Sequence, residues 1–459
     1  MIRIIDCRTE DPLKYLNARG VRHDEAVMQV VASIIEDVRT RGDEALLESA
    51  KRFDAPDIKN LVASQEEIDR AMPLVEQTFA IDHAIERVKS FHENQLGFLI
   101  SGWQEEEYQS AAERKIEGQP RHHVSNHRWT WNSAGIKGEW LGQRLCPLST
   151  AGVYVPGGNA NYPSSVVMNV IPAQVAGVNR ITVTTPARQD GTLAPAVLYA
   201  ARYCGVAQIV KVGGAAAIAA LALGTESVQR VDKVVGPGNR YVNEAKRQLW
   251  GVVGLDGYAG PSEVAVLVDE TSNATFAAAD FLTQIEHASD NAGFLVSTDE
   301  SKAKEVLDEI ERQLHGAARE NTMREAMAHE SAVLLARDLN EACDLINAIA
   351  PEHLSIATKD PEATASKIRN AGCILMGEWT PESAGDYCAG PSHTLPTATA
   401  ARFGSPVNVQ DFLKFQSMLR FDRTSLEELT PTIEAFGLME GFPEHAKGAS
   451  VRRLSEKGN

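Results

Sequence analysis

The stretch Gly152-Val-Tyr-Val-Pro-Gly-Gly-Asn-Ala160 decides the fold class. A short β-branched run ends in a Gly-Gly turn, and a helical stretch opens near Pro163, which is the pattern of a strand feeding a helix. The texture repeats outward: Arg180-Ile-Thr-Val-Thr-Thr185, Ile209-Val-Lys-Val212 and Val231 to Val235 are further β-branched runs with helical stretches between them. Strands alternating with helices make βαβ units and a parallel sheet, so an α/β unit is expected over about 152–260. A second series follows, with Val264-Ala-Val-Leu-Val268, a helix from Ala277 to His287, Gly293-Phe-Leu-Val-Ser297, a helix from Ser301 to Leu314, Ala332-Val-Leu-Leu335 and Cys373-Ile-Leu-Met376. It implies a second sheet.

Upstream, residues 24–53 and 65–98 carry apolar residues at helical spacing, as in Val27, Val31, Ile34, Ile35 and Val38, with charges opposite. These amphipathic helices are expected to cover the second sheet. Residues 98–130 are polar, rich in Gln, Glu, His and Trp, and without a clean period, so they read as an insert. The chain after Phe412 reads as helical and charged, with Pro431 and Pro443 as breaks.

The chain has 459 residues, enough for about three domains. Charged residues make up 23% and hydrophobic residues 43%, which excludes disorder and coiled coil for the whole chain. A net charge of −17 argues against nucleic acid and anionic membranes as partners. The longest apolar stretch, Ala215 to Leu223, is too short to cross a bilayer. The N-terminus lacks the long apolar region of a secretory signal, so a cytoplasmic protein is expected. Six widely spaced cysteines without a C-x-x-C pair leave any metal to N and O ligands.

Three glycine turns, Pro156-Gly-Gly, Val212-Gly-Gly-Ala and Val235-Gly-Pro-Gly-Asn239, follow predicted strands of the first unit. Each alone is a tight turn or a phosphate-binding loop. Together they line the sheet edge where ligands of parallel sheets bind, and point to a cofactor. Gln284 and His287, three apart on a predicted helix, share a face and could reach one ion, or could be solvated residues. Glu352-His353 before an apolar run suits general acid/base work, or a helix start with a capping glutamate. Pro381-Glu-Ser-Ala-Gly-Asp386, followed by His393, is a further acid/histidine segment. Gly260-Pro-Ser262-Glu could be only a turn, and Arg121-His122-His123 with His127 could be a chance cluster.

These strings resemble histidinol dehydrogenases in sequence order: Gly152-Val-Tyr-Val-Pro-Gly-Gly, Tyr162-Pro-Ser-Ser-Val-Val-Met-Asn, Val231-Asp-Lys-Val-Val-Gly-Pro-Gly-Asn, Ala259-Gly-Pro-Ser-Glu-Val, Gln284-x-Glu-His287, Pro351-Glu-His-Leu and Pro381-Glu-Ser-Ala-Gly-Asp-Tyr. The resemblance implies two Rossmann-like α/β parallel-sheet domains with small helical N- and C-terminal segments. It implies a helical segment over 1–22, a first domain from 23–151 and 263–405 with an insert at about 98–128, an NAD-binding domain over 152–262, and a terminal segment over 406–459. The activity implied is NAD- and Zn²⁺-dependent oxidation of L-histidinol, a small-molecule substrate, to L-histidine through the aldehyde, late in histidine biosynthesis. Gln284, His287, Asp386 and His445 would hold zinc, and these four with Glu352 would also border the substrate. Glu352 and His353 would be catalytic, Ser262, His393 and Glu440 would touch substrate, and Tyr154, Ala216 and Asn239 fall on positions that contact NAD. A homodimer with shared active sites is implied, the tail supplying Glu440 and His445 to its partner.

Two departures stand out. The family's Gly-Gly-Ala-Gln turn is here Gly213-Gly-Ala-Ala216, so one cofactor contact is missing, and the insert between Gln95 and Trp129 has no counterpart in the pattern. Two other readings are a related zinc and NAD enzyme for another polar alcohol, such as a sulfonated diol, and a zinc hydrolase in which Glu352 activates water without a cofactor.

Overall fold

The computed structural model describes residues 2–16, 24–101, 104–107, 127–133, 139–157, 160–257 and 260–454. The chain divides into two units, Met1–Leu96 with Leu148–Phe412, and Gly97–Pro147 with Leu413–Asn459.

The larger unit contains two parallel sheets. One has five strands in the order Gln208–Val210, Arg180–Thr184, Thr150–Tyr154, Lys233–Val235 and Gly254–Leu255. The other has six, in the order Arg3–Asp6, Ala332–Leu335, Ala292–Ser297, Glu263–Val268, His353–Ala357 and Cys373–Met376. Without the first of these, both sheets run 3-2-1-4-5 in their own chain order, the doubly wound arrangement that the alternating sequence leads one to expect. Every residue of Glu263–Val268 and Ala292–Ser297 is buried. That is why these segments read as continuous rather than alternating apolar runs: helices cover both faces of a parallel sheet.

The helices that position the glycine turns are apolar for the same reason. Gly214–Leu223 is buried from Ala215 through Ala222 and packs against Glu25–Arg41, whose Val27, Val31, Ile35 and Val38 face inward. At Gly236 the backbone has φ +114°, and a Cβ there would lie 2.1 Å from the Tyr154 carbonyl oxygen, so only glycine lets the two strand ends approach. Helix Ala274–Ile285 starts on an Asn273 cap and Glu300–Leu314 on an Asp299 cap, close to the expected helices.

Four expectations need correction. Helix Glu25–Arg41 packs on Gly214–Leu223 and Arg240–Leu249 of the five-stranded unit instead of covering the second sheet. The N-terminal segment is not helical throughout, because Arg3–Asp6 is an edge strand parallel to Ala332–Leu335, and Leu13–Leu16 is its only described helix. The chain after Phe412 is not helical from its start, because Leu413–Phe421 pairs antiparallel with Glu139–Pro147. Pro431 lies inside helix Arg423–Met439 and does not break it, whereas Pro443 opens helix Pro443–Leu454. In the smaller unit the polar insert contributes strands Gln104–Glu107 and His127–Ser133 to a four-stranded antiparallel sheet. Arg121, His122 and His123 lie outside the described residues. All six cysteines are free, and among the described residues no helix is long and apolar enough to cross a membrane.

Candidate active site

The chemically useful side chains gather at the amino-terminal edge of the six-stranded sheet, opposite to the edge where ligands of doubly wound sheets usually bind. Ser262 immediately precedes strand Glu263–Val268, and Glu352 immediately precedes strand His353–Ala357, the two strands being neighbours. Glu352 Oε2 accepts the Glu263 N–H at 2.9 Å, which locks the carboxylate across the strand starts. The last turns of helix Ala274–Ile285 bring in Gln284, with His287 just beyond, and helix Glu382–Tyr387 brings in Asp386. Ser262, Gln284, His287, Glu352, His353, Asp386 and His393 all line one cleft of about 520 Å³.

Helix Ala274–Ile285 reaches this edge with its carbonyl end, the end that favours a cation. Gln284 Nε2 lies 3.2 Å from Asp386 Oδ2 and also donates to Glu382 Oε1. His287 Nδ1 lies 3.4 Å from the Gln284 backbone carbonyl oxygen, and a proton there leaves Nε2 as the ring's lone pair. His353 Nε2 sits 3.4 Å from Glu382 Oε1 and 3.5 Å from Asp386 Oδ1, while Nδ1 faces Glu352 Oε2 at 3.9 Å. His353, Glu382 and Asp386 can offer ligand atoms within 4.8 Å of one another.

Burial pushes the Glu352 carboxyl up to about 8. Burial pulls His353 down, but a hydrogen bond to Asp386 and the charges of Glu352, Asp386 and Glu382 outweigh it and raise the ring to about 9. Glu382 is raised to about 7 by burial and then by Asp386. Burial opposes ionisation of Asp386, yet its bond to His353 and that ring's charge hold it below the usual carboxylate range. Burial lowers His393, whose buried Nε2 has no hydrogen-bond partner among the described residues, as is true of His353 Nδ1.

Three buried acids around one histidine are unfavourable unless positive charge compensates them. The surplus of carboxylates, a Gln amide and an imidazole are the hard and borderline donors that suit a divalent cation such as Zn²⁺. The residues fit such an ion.

A second cleft of about 750 Å³ lies at the carboxyl-terminal edge of the five-stranded sheet, lined by Tyr154, Gly213, Ala216 and Asn239 among others. Tyr154 is buried, its hydroxyl accepts the Gly214 N–H at 3.2 Å, and burial pushes it up to about 12. Asn239 lines both clefts, and its Oδ1 caps helix Arg240–Leu249 through the Tyr241 and Val242 N–H groups.

The family model of histidinol dehydrogenase matches residues 17–117 and 105–453. The chain belongs to the histidinol dehydrogenase family. It is 43% identical over 444 residues to histidinol dehydrogenase of Geobacter metallireducens, covering 96% of this chain and 94% of that one. It is 40% identical to that of Heliobacterium mobile, covering 98% and 99% of the two chains. The crystal structure of histidinol dehydrogenase from Elizabethkingia anophelis superposes with a TM-score of 0.86 at 31% identity, covering 100% of this chain and 99% of that one. Histidinol dehydrogenases are oxidoreductases of histidine biosynthesis that use NAD and Zn²⁺. The two matched stretches of the family model meet inside the polar insert.

Glu440 and His445 belong to the smaller unit, Glu440 ending helix Arg423–Met439 and His445 in helix Pro443–Leu454. Sequence reading missed Glu382, which is fully buried among the site residues. Its signal was there: Glu382 and Asp386 are four apart and share a helix face. Asp280, four residues before Gln284, was missed in the same way.

Proposed function

We propose that this chain oxidises L-histidinol to L-histidine through histidinaldehyde, in two successive hydride transfers to NAD, as a cytoplasmic homodimer. The observation that carries the reading is the cleft itself, in which a buried Glu352-His353 pair faces Gln284, His287 and Asp386 beside Ser262 and His393. Gln284, His287 and Asp386, with His445 from a second copy of the chain, would hold Zn²⁺. When bound, the cation supplies positive charge that holds the substrate's amine and imidazole nitrogens and offsets the buried carboxylates.

His353 takes the alcohol proton as hydride leaves carbon for the nicotinamide, and the product is the aldehyde. Glu352 takes a proton from water as it adds to the aldehyde, while His353 returns the alcohol proton to the former carbonyl oxygen, giving the gem-diol and leaving His353 a base again. His353 then takes a proton from the gem-diol as a second hydride leaves, giving the acid. The raised carboxyl of Glu352 suits this task, since a base poised near the working pH both accepts and releases a proton readily. His393 Nε2, buried with no hydrogen-bond partner among the described residues, awaits a polar atom of the substrate. NAD is assigned to the second cleft, with Asn239 between it and the first, so that the nicotinamide can meet the substrate where the two clefts share a wall. Expressing the chain in a strain unable to oxidise histidinol tests the reading: growth without histidine supports it, and growth only with added histidine opposes it.

A further inference from the structure

Glu382 takes no part in the steps above, yet it is the most buried acid of the site, with 0% of its surface exposed. Its Oε1 accepts from Gln284 Nε2, and its Oε2 has no hydrogen-bond partner among the described residues. A carboxylate left half-satisfied in the interior is costly, so packing alone does not explain it.

We propose that Glu382 is a positioning residue that fixes which end of the Gln284 amide faces the cleft. The inference rests on the reading of Gln284 as a metal ligand. An amide offers a donor end and an acceptor end of nearly the same shape. Here two carboxylates, Glu382 and Asp386, lie against one end of Gln284, so that end is the NH₂, because a carbonyl oxygen there would face the acceptor oxygens of Asp386, which His353 holds ionised, as well as those of Glu382. The carbonyl end, the only one that can bind a cation, is thereby left for the cleft that Gln284 lines.

Asp280 fixes the brace in turn. It lies one turn before Gln284 on the same helix, its Oδ1 accepts the Glu382 N–H at 3.1 Å, and its Oδ2 accepts the Ser355 hydroxyl at 2.7 Å. Ser355 lies two residues beyond His353 on its strand. The helix carrying Gln284, the strand carrying His353 and the helix carrying Asp386 are tied at this corner, with Glu382 as the contact that reaches the ligand.

The test is metal affinity of the full-length protein, stripped by chelator and titrated with Zn²⁺ against a competing chelator, with Co²⁺ absorption as a second readout. Glu382→Ala should weaken Zn²⁺ about 10- to 100-fold, the usual effect of losing a group that orients a ligand. Glu382→Gln keeps an acceptor oxygen and should restore affinity to within roughly threefold, which a purely structural need for the charge would not allow. In a Gln284→Ala background, Glu382→Ala should cost nothing further. If Glu382→Ala binds like wild type while Gln284→Ala is weakened, the positioning role is wrong and the ligand reading stands. An added loss in the double variant also overturns it, because Glu382 then acts on the metal without Gln284. If Gln284→Ala binds like wild type, the ligand reading and this inference fall together. Should the alanine protein not fold, Glu382→Met fills similar volume without an acceptor and must show the same loss.

Discussion

Replacing Glu352 by Gln separates the two half-reactions. The change removes the ionisable carboxyl and almost no volume, and the Gln oxygen can still accept the Glu263 N–H that now meets Glu352 at 2.9 Å. What disappears is a carboxylate 3.9 Å from His353 Nδ1. At an effective dielectric of about 20 that charge stabilises the protonated ring by up to ~4 kcal/mol. His353 is held up to about 9 with Glu352 among the causes. A negative neighbour favours the imidazolium, so its loss lowers the ring's pKa. The first oxidation, limited by neutral His353, should therefore keep most of its rate and show its acid limb moved to lower pH. Hydration of the aldehyde loses its base and should slow roughly 10²- to 10⁴-fold. Single-turnover NADH formation, started from L-histidinol and separately from histidinaldehyde across the pH range that brackets His353, reads both effects. Equal losses in the two half-reactions, or an acid limb that stays put or rises, would refute this division of roles.

Three other outcomes are expected. Chelation should abolish NADH production and added Zn²⁺ should restore it while far-UV circular dichroism is largely kept, because three of the four proposed ligands, Gln284, His287 and Asp386, belong to a unit with large apolar cores of its own. Ala216→Gln, in the first turn of helix Gly214–Leu223 and lining the second cleft, should tighten NAD about threefold to tenfold by one added hydrogen bond, with alcohol specificity unchanged; calorimetric titration measures it. Mixing inactive His445→Ala and His353→Ala proteins under subunit exchange should return activity approaching a quarter of wild type, since one site of each heterodimer carries neither defect; proven exchange without activity means the tail serves its own subunit.

The fold was legible where local pattern and burial coincide. Val264–Val268 and Gly293–Ser297 are apolar along their length because the sheet is covered on both faces, and that composition survives in the sequence. Arg3–Asp6 and Leu413–Phe421 were not legible as strands, because each depends on a partner far away in the chain, Ala332–Leu335 and Glu139–Pro147. In the site, Glu352 and His353 announce themselves by residue type beside an apolar run. Glu382 does not: its meaning comes from a helix packed against Gln284, and a glutamate at a helix start reads as a dipole partner. Which sheet edge carries the site was equally hidden, since the amino-terminal edge is the unusual one.

The central claim is that one cleft carries a four-electron oxidation from alcohol to acid. NADH released per L-histidinol consumed, with the organic product identified, tests it most directly. The account predicts two NADH for each histidinol and L-histidine as the product. One NADH with histidinaldehyde accumulating, or no turnover of histidinol alongside brisk oxidation of another polar alcohol, would contradict it.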